Sequence, residues 1–309
     1  MGKDDGVIVC TEELIESIFK KRVLLKPIGH KELERNSVYY VPEYNVILKL
    51  FGEKLRWGRE VASLNHLKER KNICSPEMLD YGVFQEQTYW VLTRMLSGIN
   101  LSNVINNLDE KQRLDIYKKI GHMHAYFHKE CRIDICGDWN EDGEIIDHQK
   151  SYFLFAAEKN DKQAKKIISK RYPDTNLFLL AAEKLKSLES TINDCDVLSL
   201  CHNDFVCRNI LVQNRNRELE ITGIIDFERC YPSDPESDLS PIFLDIYMKK
   251  EMEYFLRGYT EICTLSDKFD KKIKYYLIAS CLEVCSWSYK VAPDYYEKSK
   301  KMIQFLIDL

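Results

Sequence analysis

The chain has 309 residues, 45% of them hydrophobic and 30% charged, with only 12 Gly and 8 Pro. That composition excludes a largely disordered or collagen-like chain and leaves room for a large core divided between two lobes. Lys and Arg number 45 against 49 Asp and Glu, a formal charge of −4. This weighs against a nucleic-acid binder, whose footprint is basic, and agrees with a cationic small-molecule partner. No apolar run reaches the ~18 residues of a membrane helix, and the acidic opening lacks a signal-peptide core. Its MGKDDG start also lacks Ser or Thr at the myristoylation position, so the expectation is a cytoplasmic protein without membrane contact. The eleven Cys form no CxxC pair, which argues against a disulfide framework or a zinc site. Cys281 and Cys285 share a helix face and read as buried packing.

In chain order, short β-branched and aromatic runs predict strands at 23–29, 37–44, 45–51 and 87–96. Between the last two, Trp57, Val61, Leu64 and Leu67 recur at helical spacing across 53–70. After Gly98 the texture changes. Residues 101–130 are mostly helical, with apolar Leu114, Tyr117, Ile120, Met123 and Phe127, and 151–171 and 175–190 also read as helices. Strands return at 197–204, 209–214 and 219–227. From about 241 onward Tyr, Phe, Leu and Ile recur with helical period. The switch in periodicity divides the chain at 96/97. Residues 1–96 form a β-rich lobe with one helix, and residues 97–309 form a larger, mostly helical lobe with a short β insert.

The sharpest segment is His202-Asn203-Asp204-Phe205-Val206-Cys207-Arg208-Asn209-Ile210-Leu211-Val212, followed by Gly223-Ile224-Ile225-Asp226-Phe227-Glu228. A His-x-Asp, an Asn five residues after the Asp, and an apolar strand ending in Asp-Phe is the kinase catalytic-loop and metal-Asp arrangement. Phosphoryl transfer needs a carboxylate beside the acceptor hydroxyl and oxygen ligands that hold Mg²⁺ against the phosphates. The plain alternative, that Asp204, Asn209 and Asp226 only form turns and caps, must explain three coincidences together. Upstream, Val46-Ile47-Leu48-Lys49 places a Lys after an apolar strand, where it would reach the α/β-phosphates, and Glu60 on the next helix would pair with it. The alternatives here are an edge-strand Lys that blocks aggregation and a solvated helix Glu, with Glu53 as a competing partner.

Against the protein-kinase set, residues 28–37 hold one Gly, His-Asn-Asp replaces HRD, and no APE follows. The sequence instead resembles the aminoglycoside phosphotransferase/choline kinase family of small-molecule kinases. The resemblance rests on His202-Asn203-Asp204, Asn209-Ile210-Leu211-Val212, Ile225-Asp226-Phe227-Glu228, Ser233-Asp234-Pro235, Asp238-Leu239 and the helix from Gly121 to His128. It covers roughly residues 25–245 by motif order.

The resemblance implies an α+β, two-lobed protein-kinase-like fold and transfer of the γ-phosphoryl of ATP or GTP. By the same resemblance, Asp204 is the catalytic carboxylate, Asn209 and Asp226 bind Mg²⁺, Lys49 holds phosphates, and Glu60 positions Lys49. Thr93 to Leu96, with Met95, would form the hinge against the purine, and Ser37 would offer a hydroxyl to a phosphate. His202 would pack beneath the catalytic loop, and Asp234 and Asp238 would brace it.

An aminoglycoside or a related aminocyclitol or peptide antibiotic is the implied acceptor. Acids after Asp226, among them Glu228, Asp238 and Glu283, would meet its amines, and aromatics such as Trp287 would stack on it. For each of these, a solvated face or a core position is the competing reading. His124 and His128 share a helix face but lack a carboxylate or Cys partner, so a core or surface position is expected rather than metal binding. The rival functions are a choline, ethanolamine or amino-sugar kinase and a nucleotide-binding pseudokinase.

Overall fold

The computed structural model describes residues 11–28, 36–146, 151–193, 195, 197–216 and 218–309. The opening segment through Cys10 and the stretch Gly29 to Arg35, where the phosphate loop is expected, lie outside the described residues. Helix α1 (Glu12–Phe19) starts at Thr11, whose hydroxyl accepts from the Leu14 amide. Strands β1 (Lys26–Ile28), β2 (Asn36–Val41) and β3 (Val46–Phe51) precede helix α2 (Lys54–Leu67), and β4 (Met78–Phe84) and β5 (Thr88–Arg94) follow it. They form one antiparallel sheet in the order β1-β2-β3-β5-β4. The first lobe therefore holds two helices rather than one, and β4 is a strand the sequence reading missed.

The chain then runs through β6 (Ile99–Asn100) into α3 (Glu110–Glu130), which opens with a capping box between Asp109 and Gln112. Helices α4 (Tyr152–Ser169) and α5 (Thr175–Leu188) follow, then β7 (Ser199–Cys201), β8 (Ile210–Arg215), β9 (Glu218–Ile224) and β10 (Tyr231–Ser233). Helices α6 (Ser240–Ile246), α7 (Lys250–Tyr259), α8 (Phe269–Val291) and α9 (Pro293–Asp308) complete the chain. The β insert is two small sheets, β10-β7 and β6-β8-β9. The predicted strand over 197–204 shrinks to three residues, because His202 onward turns into the catalytic loop.

One continuous buried cluster runs from Phe51, Trp57 and Val61 through α3 and the β insert into α8 and α9. A smaller cluster fastens Leu14 and Ile15 of α1 to Val41, Val46, Leu48, Leu50 and Trp90. Cys281 and Cys285 are fully buried, as expected. Among the described residues no helix is long and apolar enough to cross a membrane.

Candidate active site

Lys49 lies on β3, an interior strand flanked by β2 and β5, so the edge-strand alternative fails. Its Nζ lies 2.6 Å from Glu60, 2.5 Å from Asp226 and 3.0 Å from Glu228. Glu53 instead pairs with Arg56 at 3.0 Å, which leaves Glu60 as the helix partner of Lys49. Burial alone would lower the Lys49 pKa, but the charges of Asp226, Glu228 and Glu60 hold it well above the ordinary lysine value. Burial pushes the Glu60 carboxyl up to about 7 against the pull of Lys49. Three carboxylates thus surround Lys49, one of them shared with Arg56, and the remaining excess of negative charge suits a site awaiting further positive charge.

The catalytic loop leaves β7 over a buried brace. Asp238 is fully buried, and its carboxylate accepts from the backbone amides of His202 (2.7 Å) and Asn203 (2.6 Å). His124 and His128 meet the same carboxylate at 2.9 and 3.1 Å. Burial would raise the Asp238 carboxyl, but its two histidine partners hold it far below the usual carboxylate range. His202 reaches the Ile225 carbonyl at 3.1 Å, tying the loop to the segment that carries Asp226. Asn209 donates to the Asp204 backbone carbonyl (2.9 Å) and to its carboxylate (3.0 Å), and the Ile225 amide donates to the Asn209 carbonyl at 2.9 Å. Arg208 Nη2 donates to both Asp204 carboxylate oxygens at 2.6 Å. Asp226 itself sits at φ 72°, a left-handed conformation that a non-glycine residue adopts at a cost and that concentrates at functional sites.

Beside Asp204 opens a cavity of about 330 Å³ between the catalytic loop, α4, α8 and the start of α9. Trp287 and Tyr295 supply an aromatic wall, with ring centroids 6.1 Å apart. Arg229 pairs with Glu283 across another side. Burial would raise the Glu283 carboxyl, but Arg229, Lys159 and Arg59 pull it down to about 2.

A model described as the phosphotransferase enzyme family (APH) matches residues 30–262. The chain belongs to that family. Among curated proteins no sequence matches. Solved structures show the family's fold. Aminoglycoside phosphotransferase APH(4)-Ia, as a thermostable mutant in complex with ADP and hygromycin B, is 18% identical, with TM-score 0.71 over 96% of this chain and 97% of that one. A choline/ethanolamine kinase family protein from Mesorhizobium loti is 17% identical, with TM-score 0.62 over 93% and 88%. Aminoglycoside-3'-phosphotransferase of type VIII is 16% identical, with TM-score 0.57 over 87% and 97%. The chain has the two-part α/β kinase-like fold of this phosphotransferase family, a β-sheet region followed by a helical region.

Within that family frame, the structure brings Asp204 and Asn209 together, and links Lys49, Glu60 and Asp226. Two of the residues expected to meet an acceptor are elsewhere. Glu228 is buried against Lys49, Arg56 and Asn36, where the first lobe meets the segment after β9. Asp238 has no solvent access and serves as the loop brace. The lack of a carboxylate partner for His124 and His128 is likewise corrected, since Asp238 arrives from more than a hundred residues away. Glu283 and Trp287 do line the cavity. Ser37 is buried in β2 opposite Leu50, and Thr93 is buried in β5 opposite Ile47. The Met95 amide donates to the Asn45 carbonyl at 3.0 Å, extending the β3–β5 ladder, so a purine would compete for that donor.

Sequence reading missed Arg208, Arg229 and Lys159. Arg208 lies at an unassigned position inside the His202–Asn209 segment, Arg229 and Lys159 lie outside the motifs, and only the packing of α4 beside β10 and α8 gives Lys159 its place on the cavity wall. For a divalent cation, Asn209 and Asp226 offer an amide and a carboxylate, the hard oxygen donors that suit Mg²⁺. The Asp226 side chain keeps 34% of its surface exposed, and the crowded carboxylates around Lys49 favour added positive charge, so the residues fit the ion.

Proposed function

We propose that this protein moves the γ-phosphoryl group of MgATP or MgGTP to a hydroxyl of a small molecule seated in the cavity beside Asp204. The observation that carries the reading is that the Asp204 carboxylate faces this cavity while bonded to Asn209, whose backbone carbonyl receives the amide of Ile225, the residue before Asp226, which in turn pairs with Lys49. Asp204 would orient the acceptor hydroxyl and take its proton. The acceptor oxygen bonds to the γ-phosphorus as the bond to the β-bridging oxygen breaks, and the nucleoside diphosphate leaves. Lys49, held by Glu60, would grip the phosphates. Mg²⁺ held by Asn209 and Asp226 would neutralise charge on the phosphates. Lys49, Asp204, Asn209 and Asp226 are all present, which weighs against a pseudokinase.

Hygromycin B and ADP bound by a solved relative support an antibiotic acceptor and a nucleotide donor. Weighing against a polycationic antibiotic here, every carboxylate among the described residues of the cavity wall already has its own cation, so the geometry supports the reading best at the level of a hydroxylated small molecule. A coupled assay of diphosphate release, run with an acceptor panel that includes hygromycin B, tests the chemistry. Asp204→Asn keeps the shape of the side chain and removes the base. We expect acceptor-dependent turnover to fall by about 10²–10⁴-fold while the MgADP thermal shift is retained. Near-normal kcat in that variant would overturn the role of Asp204.

A further inference from the structure

A cationic acceptor needs carboxylates that are not already neutralised, and among the described residues the cavity wall has none. Asp204 is held by Arg208, Asp245 by Lys298 and Glu283 by Arg229. Arg59, on the same wall, is matched by Asp138. One charge remains over. Lys159 of α4 lines the cavity, and among the described residues no carboxylate lies within ion-pair distance of it. Its Nζ donates to the Tyr231 hydroxyl and stands 4.6 Å from that ring's centroid. A hydroxyl and a ring face give a lysine ammonium less than a bonded carboxylate would, and Glu283, whose carboxyl Lys159 helps to hold down, is itself bonded to Arg229, so this half-buried cation still has room for an anion of its own. Across the cavity, Trp287 and Tyr295 offer flat apolar surface to a ring.

We infer that the acceptor is a ring-bearing hydroxyl compound that carries an anionic group, a carboxylate or a phosphate, seated against Lys159. The inference rests on the phosphotransferase reading of the site and names its substrate class. Lys159 fixes the anionic end, the aromatic wall holds the ring, and the hydroxyl is left facing Asp204. A polycationic antibiotic would instead set its amines beside Lys159 with no unpaired carboxylate to offset it among the described residues, and like charges at close range in a partly desolvated cavity repel.

The test uses matched ring compounds against the full-length protein loaded with MgADP for binding and with MgATP for turnover. Glucuronate and glucose 6-phosphate are the anionic probes, glucose the neutral one, glucosamine and kanamycin the cationic ones. We expect one anionic probe at least to raise the melting temperature and to act as a saturable acceptor. Glucose should be weaker by about tenfold or more, the loss of one charge-assisted hydrogen bond, and the cations weaker still. Preference between glucuronate and glucose 6-phosphate distinguishes carboxylate from phosphate. Lys159→Met should raise the Kd of the preferred anion by about tenfold or more, and Lys159→Arg should restore most of it. The inference is overturned if the cationic probes bind as tightly as the anionic ones, if neither anion binds a protein that binds MgADP, or if Lys159→Met leaves anion binding unchanged. If MgADP itself gives no shift, the phosphotransferase reading fails and the inference falls with it.

Discussion

The Asp204 carboxylate is held from two sides, by the Asn209 amide at 3.0 Å and by Arg208 Nη2 at 2.6 Å to both oxygens. In the proposed reaction Asp204 would have to meet an acceptor hydroxyl within hydrogen-bond reach, and such supports matter there because small misplacements of a reacting group are costly in rate. Arg208 is a positioning residue here, and its removal should act on kcat more than on nucleotide affinity. We expect Arg208→Met to lower kcat by about 10- to 100-fold with the KM for ATP little changed. A matching loss in both constants would instead place Arg208 on the nucleotide. The candidate residues were legible because phosphoryl transfer asks for certain types in a certain order: a Lys on a strand (Lys49), a Glu on the next helix (Glu60), then Asp204, Asn209 and Asp226. Arg208 was not legible, since an arginine in a loop reads as solvated until a carboxylate is found opposite it. Glu228 misled for the converse reason. It follows Asp226 closely in sequence, yet the turn after β9 aims it back at Lys49 and Arg56.

At the scale of elements, α3 carries His124 and His128 of the loop brace, and α7 presses against it over two glycines. A Cβ on Gly258 would stand 1.9 Å from the Lys118 carbonyl oxygen, and one on Gly121 would stand 2.0 Å from the Phe255 carbonyl oxygen. Both obstacles are backbone, so no side-chain rotation relieves them. Gly258→Ala gains about 1 kcal/mol of helix propensity. Forcing the helices apart in a close-packed core costs more, typically 1–3 kcal/mol and here toward the top of that range. We therefore expect a net destabilisation of about 2 kcal/mol, read as a lower urea midpoint at unchanged slope. An unchanged midpoint would mean that the helices do not approach this closely. The long helices were legible because their apolar period persists over several turns. β7 and β10 span three residues each, too few for any period to register, and β4 hides because Asp80 and Gly82 break its apolar run. The packing of α4 beside α8 and β10, which gives Lys159 its place, depends on tertiary contacts that no local pattern encodes.

Across the whole molecule, the catalytic loop hangs from a buried imidazole–carboxylate cluster, and this ties stability to pH. His124 is fully buried with its Nε2 on Asp238, and its Nδ1 is buried without a hydrogen-bond partner. The ring is therefore a neutral donor to Asp238, and a second proton on Nδ1 would have nowhere to go. Burial, followed by the neighbouring His128, lowers its pKa from 6.5 to about 4. Burial, with Arg70 nearby, does the same to His66, which also falls to about 4. Between those values the unfolded chain binds protons that the folded chain refuses. Stability from these groups is complete above pH 6.5 and declines as the pH falls toward 4. For His124 alone the loss approaches about 3 kcal/mol at the acid end. Asp238 works in the same direction in a lower window. Its ordinary value is 3.8 and its folded value lies far beneath, so its contribution is lost only as the pH drops below about 4. On unfolding between about pH 7.5 and 4.5, His124 and His66 take up about two protons, while Glu60, pushed up to about 7 in the fold, gives up about one. Urea unfolding followed across that range should therefore show stability decreasing with net uptake of about one proton, and His124→Gln should reduce that uptake by about one. Because Asp238 also receives the His202 and Asn203 amides, loss of the brace and loss of the catalytic loop's shape should coincide in pH. A stability profile that is flat from pH 6.5 to 4.5, or one that His124→Gln leaves equally steep, would show that the buried ring accepts its second proton and that the brace has another basis.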